Sequence, residues 1–339
     1  MKRKKICIIY TGGTIGMVRT DNGFAPRKGT FEKELAQIRD LRSKDMSEWD
    51  LVEFDPLLDS SNVAYEQWNL MAETIQKLYA DYDGFVILHG TDTMAYSASA
   101  LSFMLGNLNK PVVFTGSQIP LCELRSDGKD NLITSLMIAA DGVVREVSLY
   151  FSGTLLRGNR ATKFSADGLI AFESPNYPAL AKAGIDITYD RKRLLPGTVE
   201  PFSVTAMKKA RLGVLKVFPG IQFGLFEPIV SNGLDGLILE ALGTGNIPGY
   251  DDALSGLIAQ AADNGTVVVV LTQCPQGTVR LGAYEAGAAL ADAGVVSGFN
   301  MTTEAAVTKL NYLLSLGLSH DEVRAAMERP LRGEFDAAL

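Results

Sequence analysis

Three short segments combine glycine with hydroxyl side chains: Thr11-Gly12-Gly13-Thr14, Gly90-Thr91-Asp92-Thr93 and Thr115-Gly116-Ser117-Gln118. Glycine lets a backbone turn sharply and lets a ligand reach main-chain amides. Hydroxyls supply hydrogen-bond donors and, with a base beside them, nucleophiles. Each segment follows an apolar run, at residues 6–10, 85–89 and 111–115, and such runs predict buried strands. In an open parallel sheet, ligands collect at the carboxyl ends of the strands, beside a switch in strand order. The three loops are therefore expected to share one rim.

Each loop also has a plainer reading. Residues 11–16 read equally as a strand-to-loop turn or as a phosphate loop, although neither GxGxxG nor GxxxxGK[ST] spacing occurs. Gly90-Thr91-Asp92-Thr93 reads equally as a helix N-cap, where Thr and Asp are favoured. The combination of the loops in one sheet carries the functional reading. Histidine is nearly absent: His89 ends a strand, His320 sits in a charged C-terminal stretch, and no G-x-S-x-G elbow occurs. A Ser-His-Asp triad is poorly supported. A hydroxyl nucleophile then needs another base. A desolvated lysine can serve, its pKa falling from the ordinary ~10.4, with an aspartate to hold it. Lys163 is the candidate, in Arg157-Gly158-Asn159-Arg160-Ala161-Thr162-Lys163. By spacing alone it reads as a surface lysine.

The elements that must position these residues follow from the apolar pattern. Residues 62–82 predict a helix through Trp68, Met71, Ile75, Leu78 and Tyr82, with Ser60, Ser61 or Asn62 as its cap. Residues 93–105 and 130–140 predict further helices, and 146–151 a fourth strand. The charged stretch between the first strand and Phe54 predicts no regular element. Strands alternating with helices give an α/β fold: a larger N-terminal, doubly wound, mostly parallel sheet over 1–189. Residues 190–211, with Arg191-Lys192-Arg193 and Pro196-Gly197, read as a linker, preceded by a short strand or hairpin near Ile185. A smaller C-terminal α/β domain over 212–339 has predicted strands at 212–218, 236–241 and 266–272 and helices at 251–262 and 303–316.

The bulk properties narrow the class. A chain of 339 residues is too long for one ordinary domain, and 47% apolar with 21% charged residues suits a soluble globular protein. A net charge of −7 argues against a general nucleic-acid binder. Cys7, Cys122 and Cys274 form no CxxC pair and read as buried or semi-buried thiols in a reducing compartment. The basic start before Ile6 precedes too short an apolar run for a signal peptide, and no run approaches the ~18 apolar residues of a membrane span. The expected location is the cytoplasm.

At these residues the chain resembles the bacterial L-asparaginase family, type I (cytoplasmic) branch, over essentially its whole length. The likeness rests on Tyr10-Thr11-Gly12-Gly13-Thr14-Ile15-Gly16 and on residues 84–94, which contain His89-Gly90-Thr91-Asp92-Thr93-Met94. Asp59-Ser60-Ser61, Thr115-Gly116-Ser117-Gln118-Ile119-Pro120, Arg125-Ser126-Asp127-Gly128 and Arg157-Gly158-Asn159-Arg160 also resemble family elements. The resemblance implies hydrolysis of L-asparagine to L-aspartate and ammonia through a threonine acyl-enzyme. It casts Thr14 as nucleophile and Thr91, Lys163 and Asp92 as the proton-relaying hydroxyl, lysine and aspartate. It gives Asp59, Ser60, Ser61 and Asp92 to the substrate's charged α-groups, and amides near Gly90 and Thr91 to the oxyanion. No metal or organic cofactor is implied. A homodimer or homotetramer is.

One position departs from the family pattern. Phe24 stands where a lid tyrosine is usual, and no tyrosine occurs between Tyr10 and Tyr65; Tyr284 is the expected substitute phenol. A regulatory asparagine site would involve Thr162, Glu240 to Leu242 and Cys274. There Glu240 replaces an arginine of similar bacterial chains, and its charge would repel an effector carboxylate. Three other readings stand against the asparaginase one. An ammonia-supplying amidotransferase subunit usually carries an additional N-terminal domain, for which a motif starting at Thr11 leaves no room. An amino-acid-binding or sensing module with impaired catalysis rests on Phe24 alone. A dinucleotide-dependent oxidoreductase lacks its fingerprint.

Overall fold

The computed structural model describes residues 3–21, 23–231, 233–248, 253–282 and 294–336. The chain divides into two compact units, Met1–Ala206 and Met207–Leu339. Among the described residues, no helix is long and apolar enough to cross a membrane.

In the first unit, β1 (Lys5–Gly12) leads into a hairpin of β2 (Met17–Thr20) and β3 (Gly23–Pro26). Strand β4 (Glu48–Leu58) follows, then helix α1 (Tyr65–Leu78), β5 (Gly84–Leu88), helix α2 (Met94–Met104), β6 (Leu105–Gly106) and β7 (Val112–Thr115). After helix α3 (Gly128–Asp141) come β8 (Val147–Phe151), β9 (Thr154–Arg157), β10 (Thr162–Lys163), β11 (Phe172–Glu173), β12 (Ala181–Ala183) and β13 (Ile187–Tyr189). One sheet carries eight of these in the order β13-β12-β9-β8-β7-β5-β1-β4. Its half from β4 to β8 is parallel. The chain leaves β1 for β4 on one side and later returns to β5 on the other. The strand order therefore switches at β1, whose carboxyl end carries Gly12-Gly13-Thr14.

Alternation along the strands divides the core. Ile6, Ile8, Tyr10, Val86, Leu88 and Val113 pack with Leu132, Leu136 and Ala139 of α3 on one face. On the other face Phe85 stacks on Tyr79 at the end of α1. Helix α1 buries Trp68, Met71, Ala72 and Ile75 at helical spacing, as the periodicity predicts. Its cap differs from expectation: Ala64 precedes the first turn and donates its N–H to Gln67 Oε1, while Ser60 to Asn62 form a separate short turn. Helix α2 buries nearly every residue, which its small side chains Ala95, Ser97, Ala98, Ser99 and Ala100 permit.

Strand β4 lies where no element was expected. It is an edge strand, so Asp50, Glu53, Asp55 and Pro56 keep their polar or proline character without breaking a central ladder. Strand β14 (Ser203–Val204) pairs with β6, which gives regular structure to part of the stretch expected as a linker. The hairpin expected near Ile185 is β12–β13.

The second unit holds a parallel sheet of β15 (Leu212–Lys216), β16 (Gly236–Ala241), β17 (Val267–Thr272) and β18 (Val296–Ser297). Leu237, Leu239, Val268 and Val270 face Leu257, Ile258 and Ala261 of helix Ala253–Asp263. Ile238, Val269 and Leu271 face Ala305, Leu310 and Leu313 of helix Thr303–Ser315. In that second core Lys309 is wholly buried against the wholly buried Glu334, 2.7 Å away. Its ammonium also donates to the Met327 and Arg329 carbonyls, and Glu334 accepts from the Leu331 and Arg332 amides.

Candidate active site

Three loops meet above β1 and β5 through bare backbone. A Cβ on Gly12 would lie 2.2 Å from the Leu58 carbonyl oxygen, and one on Gly13 would lie 2.4 Å from the Gly90 nitrogen. A Cβ on Gly90 would lie 2.5 Å from Ser60 Oγ. Glycine is thus required here by close approach, and at Gly12 and Gly13 also by φ of +130° and +89°. The segments bearing Thr14, Ser60 and Thr91 are consequently in contact.

Around them the hydroxyls divide into two groups. Thr11 Oγ1 donates to the Leu88 carbonyl and Thr115 Oγ1 to the Tyr150 carbonyl, so both tie strands together. Thr14 is half-buried, and its hydroxyl has no partner among the described residues. Thr91 is buried and fully engaged: its Oγ1 accepts from Lys163 Nζ at 3.0 Å and donates to Gln118 Oε1 at 3.0 Å. Lys163 Nζ also donates to Asp92 Oδ1 at 2.6 Å. Lys163, held in the β10–β11 ladder, is 18% exposed and Asp92 66%, so the ion pair spans from the interior to solvent. Thr91 and Asp92 do not cap α2. Thr93 holds that position, and its hydroxyl donates instead to the Ser60 carbonyl.

Gln118, quoted in the third loop without a role of its own, completes the arrangement. Its Nε2 donates to the Ala166 and Gly168 carbonyls, which turns its oxygen toward Thr91. Its backbone N–H and that of Ile119 donate to Asp127, and Asn131 Nδ2 holds the Gly116 carbonyl. Asp59 Oδ1 accepts from the Ser61 amide and the Asp59 residue is exposed, as is Ser61, whereas Ser60 is buried.

His89 is a core residue. It is buried, and burial lowers its pKa from 6.5 to about 4. Its Nδ1 lies 2.8 Å from the Gly90 carbonyl, its Nε2 2.9 Å from Ser97 Oγ, and Trp68 Nε1 donates to the same Ser97 oxygen at 3.0 Å. It takes no part in a triad. Arg157, in another quoted element, forms a buried pair with Glu146 at 2.6 Å under the Tyr177 ring.

Phe24, in β3, is 44% exposed, with the Arg19 guanidinium 5.5 Å above its ring. Tyr284 lies outside the described residues. Thr162 pairs with Glu173 in the first unit. Glu240 belongs to the second, where it accepts from Thr303 Oγ1 at 2.6 Å and sits 3.7 Å from Lys216 Nζ. Cys274 follows β17. It and Cys122 are exposed and only Cys7 is buried, which corrects the expectation of three buried or semi-buried thiols.

A hydroxyl wired to a lysine that is itself paired with a carboxylate, on a loop in contact with the one bearing the unengaged Thr14 hydroxyl, is an arrangement suited to acyl transfer. The comparisons agree with that class. Residues 5–195 match the family model "Asparaginase, N-terminal", and residues 211–327 match "Glutaminase/Asparaginase C-terminal domain". The chain belongs to the asparaginase family. It is 47% identical to L-asparaginase 1 of Escherichia coli (strain K12) over 335 residues, 99% of each chain. The fold superposes on L-asparaginase I of Vibrio cholerae with a TM-score of 0.92, 46% identity and coverage of 98% of this chain and 99% of that one. It superposes on the thermostable L-asparaginase of Thermococcus kodakarensis with a TM-score of 0.89 at 33% identity, again over 98% and 99%.

Proposed function

We propose that the protein hydrolyses L-asparagine to L-aspartate and ammonia, with Thr14 as the nucleophile. The observation that carries this reading is the Thr91–Lys163–Asp92 network on the loop in contact with the one bearing Thr14. Full-length identity to an L-asparaginase supports the substrate.

Thr14 Oγ1 attacks the side-chain amide carbon, and its proton passes into the Thr91–Lys163–Asp92 network. The amide oxygen takes up the negative charge and accepts from the Gly90 and Thr91 N–H groups. Both residues are buried, and neither amide meets an acceptor among the described residues. Donors fixed in advance at developing charge are a large source of rate enhancement. Collapse of the intermediate returns the proton to the leaving nitrogen, releases ammonia and leaves an ester on Thr14. Water activated at Thr91 then frees aspartate. Dividing one hard step into two in this way is the gain from a covalent intermediate. Asp59 and Asp92 hold the substrate ammonium, and Ser60 and Ser61 its α-carboxylate. Catalysis requires neither metal nor organic cofactor, the enzyme works in the cytoplasm, and it assembles as a homodimer or homotetramer.

The test is ammonia release from L-asparagine, L-glutamine and D-asparagine, with Thr14→Ala as control. Release from L-asparagine that vanishes in the variant is the expected result. Release surviving Thr14→Ala removes that residue as nucleophile, and no release from any substrate overturns the reading. Light scattering of the purified protein tests the assembly.

A further inference from the structure

The buried chain Trp68–Ser97–His89–Gly90 is not used by the chemistry above, and it ends on the peptide that bears the Thr91 N–H. Its direction is fixed by what each group can do. The Gly90 carbonyl can only accept, so His89 Nδ1 carries the hydrogen and donates across 2.8 Å. Nε2 is then bare and accepts from the Ser97 hydroxyl at 2.9 Å. Ser97 Oγ in turn accepts from Trp68 Nε1–H at 3.0 Å. Every donor points toward the active site, and every member is buried.

The His89–Gly90 peptide, just before the one that bears the Thr91 N–H, is tightly held. His89 N–H is bonded to the Thr115 carbonyl at 3.0 Å. Its carbonyl oxygen lies 2.5 Å from where a Gly116 Cβ would be, and Gly13 presses against Gly90. A donor on the Gly90 carbonyl withdraws density from the same peptide unit, which strengthens its N–H, that of Thr91, as a donor. It also fixes the plane of that unit, and so the line along which the Thr91 N–H points.

We propose that His89 is a positioning residue for amide hydrolysis: its Nδ1–H bond to the Gly90 carbonyl orients and polarises the Gly90–Thr91 peptide, whose N–H receives the negative charge formed in the transition state. This rests on the asparagine-hydrolysis reading. It predicts a role for a histidine that touches no substrate and exchanges no proton, being a neutral, fixed donor. Its contribution appears only where charge develops, in kcat and not in KM.

The discriminating variants are His89→Asn and His89→Leu. An asparagine amide nitrogen can take the place of Nδ1 and keep the bond to Gly90; leucine fills similar volume with no donor. Expected is a kcat in His89→Asn within about threefold of the native enzyme. For His89→Leu, kcat falls roughly tenfold or more, below the ~10²–10³-fold loss from removing a direct oxyanion donor, while KM stays within about twofold. Equal kcat in all three proteins, or equal loss in both variants, overturns the proposal. Independently of any turnover, ¹⁵N NMR of the native protein must show His89 protonated at Nδ1 alone; protonation at Nε2 overturns it. Should His89→Leu fail to fold, Ser97→Ala takes its place: the Nε2 resonance moves and kcat falls at constant KM, and an unmoved resonance overturns the relay. A native enzyme that releases no ammonia sinks the activity reading, whereas the NMR result still decides the relay.

Discussion

Lys163 reaches Thr91 across 72 positions of sequence, with its ammonium 3.0 Å from the threonine oxygen. The same nitrogen is 2.6 Å from Asp92, so a single lysine sits between a buried hydroxyl and a solvent-facing carboxylate. Removing the amine and removing the carboxylate therefore have different consequences. Lys163→Met is expected to lower kcat by ~10²–10⁴-fold with little change in KM, the range for loss of acid–base assistance. Asp92→Asn is expected to lower kcat and also raise KM, because in the proposed mechanism Asp92 additionally holds the substrate ammonium. Steady-state ammonia release over a range of asparagine concentrations separates the two.

The Gly13–Gly90 contact predicts a steric failure. Gly13→Ala places a methyl group 2.4 Å from a backbone nitrogen that is itself confined, at a φ of +89°. Expected are a stability loss of about 2–4 kcal/mol and a fall in activity beyond what unfolding explains. Thermal melting read beside turnover at low temperature checks both.

His89 makes the fold sensitive to mild acid. Its pKa is about 4 in the native protein against 6.5 when free. A base with a depressed native pKa is neutral in both states above pH 6.5. As pH falls from 6.5 to 4 the unfolded chain binds the proton first, and stability drops. The difference amounts to about 3 kcal/mol once pH reaches 4, at ~1.4 kcal/mol per pK unit. Urea unfolding between pH 7 and 5 is expected to show this slope, and His89→Asn to flatten it.

The Lys309–Glu334 pair predicts an asymmetry between single and double substitution. Both side chains are fully buried. Glu334→Gln leaves an ammonium without its counter-charge and is expected to cost ~3–5 kcal/mol. Replacing both, Lys309→Met with Glu334→Leu, is expected to recover a large part of that loss. Urea midpoints of the three proteins test it.

We propose that Glu240 disfavours a regulatory asparagine. Its carboxylate accepts from Thr303 Oγ1 and lies 3.7 Å from Lys216 Nζ, and its negative charge would repel an effector carboxylate. Velocity is expected to rise hyperbolically with asparagine. A sigmoidal curve contradicts this.

Much of this site is legible in the sequence because its parts are local. Gly12-Gly13-Thr14 and Gly90-Thr91-Asp92 announce themselves as glycine and hydroxyl directly after apolar runs, and β1, β5 and β7 read from continuous burial. What spacing conceals is contact at a distance. Nothing near Lys163 marks it as different from a surface lysine until the sheet brings Thr91 and Asp92 to it. Gln118 was hidden because its role depends on the Ala166 and Gly168 carbonyls that aim it. Strand β4 escaped because an edge strand is half solvated and tolerates Asp50, Glu53 and Pro56, which erase the pattern. The exposure of Cys122 and Cys274 escaped for a related reason: cysteine is usually buried, and neither residue type nor spacing reveals when it is not.

The bare-backbone contact of the three loops also limits how the enzyme can be re-engineered. Gly12, Gly13 and Gly90 touch their neighbours with no side chain between them, so a mutant library directed at these positions would sample broken proteins instead of new preferences. Variation in which amide is accepted has to come from residues that present side chains around that fixed frame, among them Gln118, whose amide oxygen meets Thr91 Oγ1.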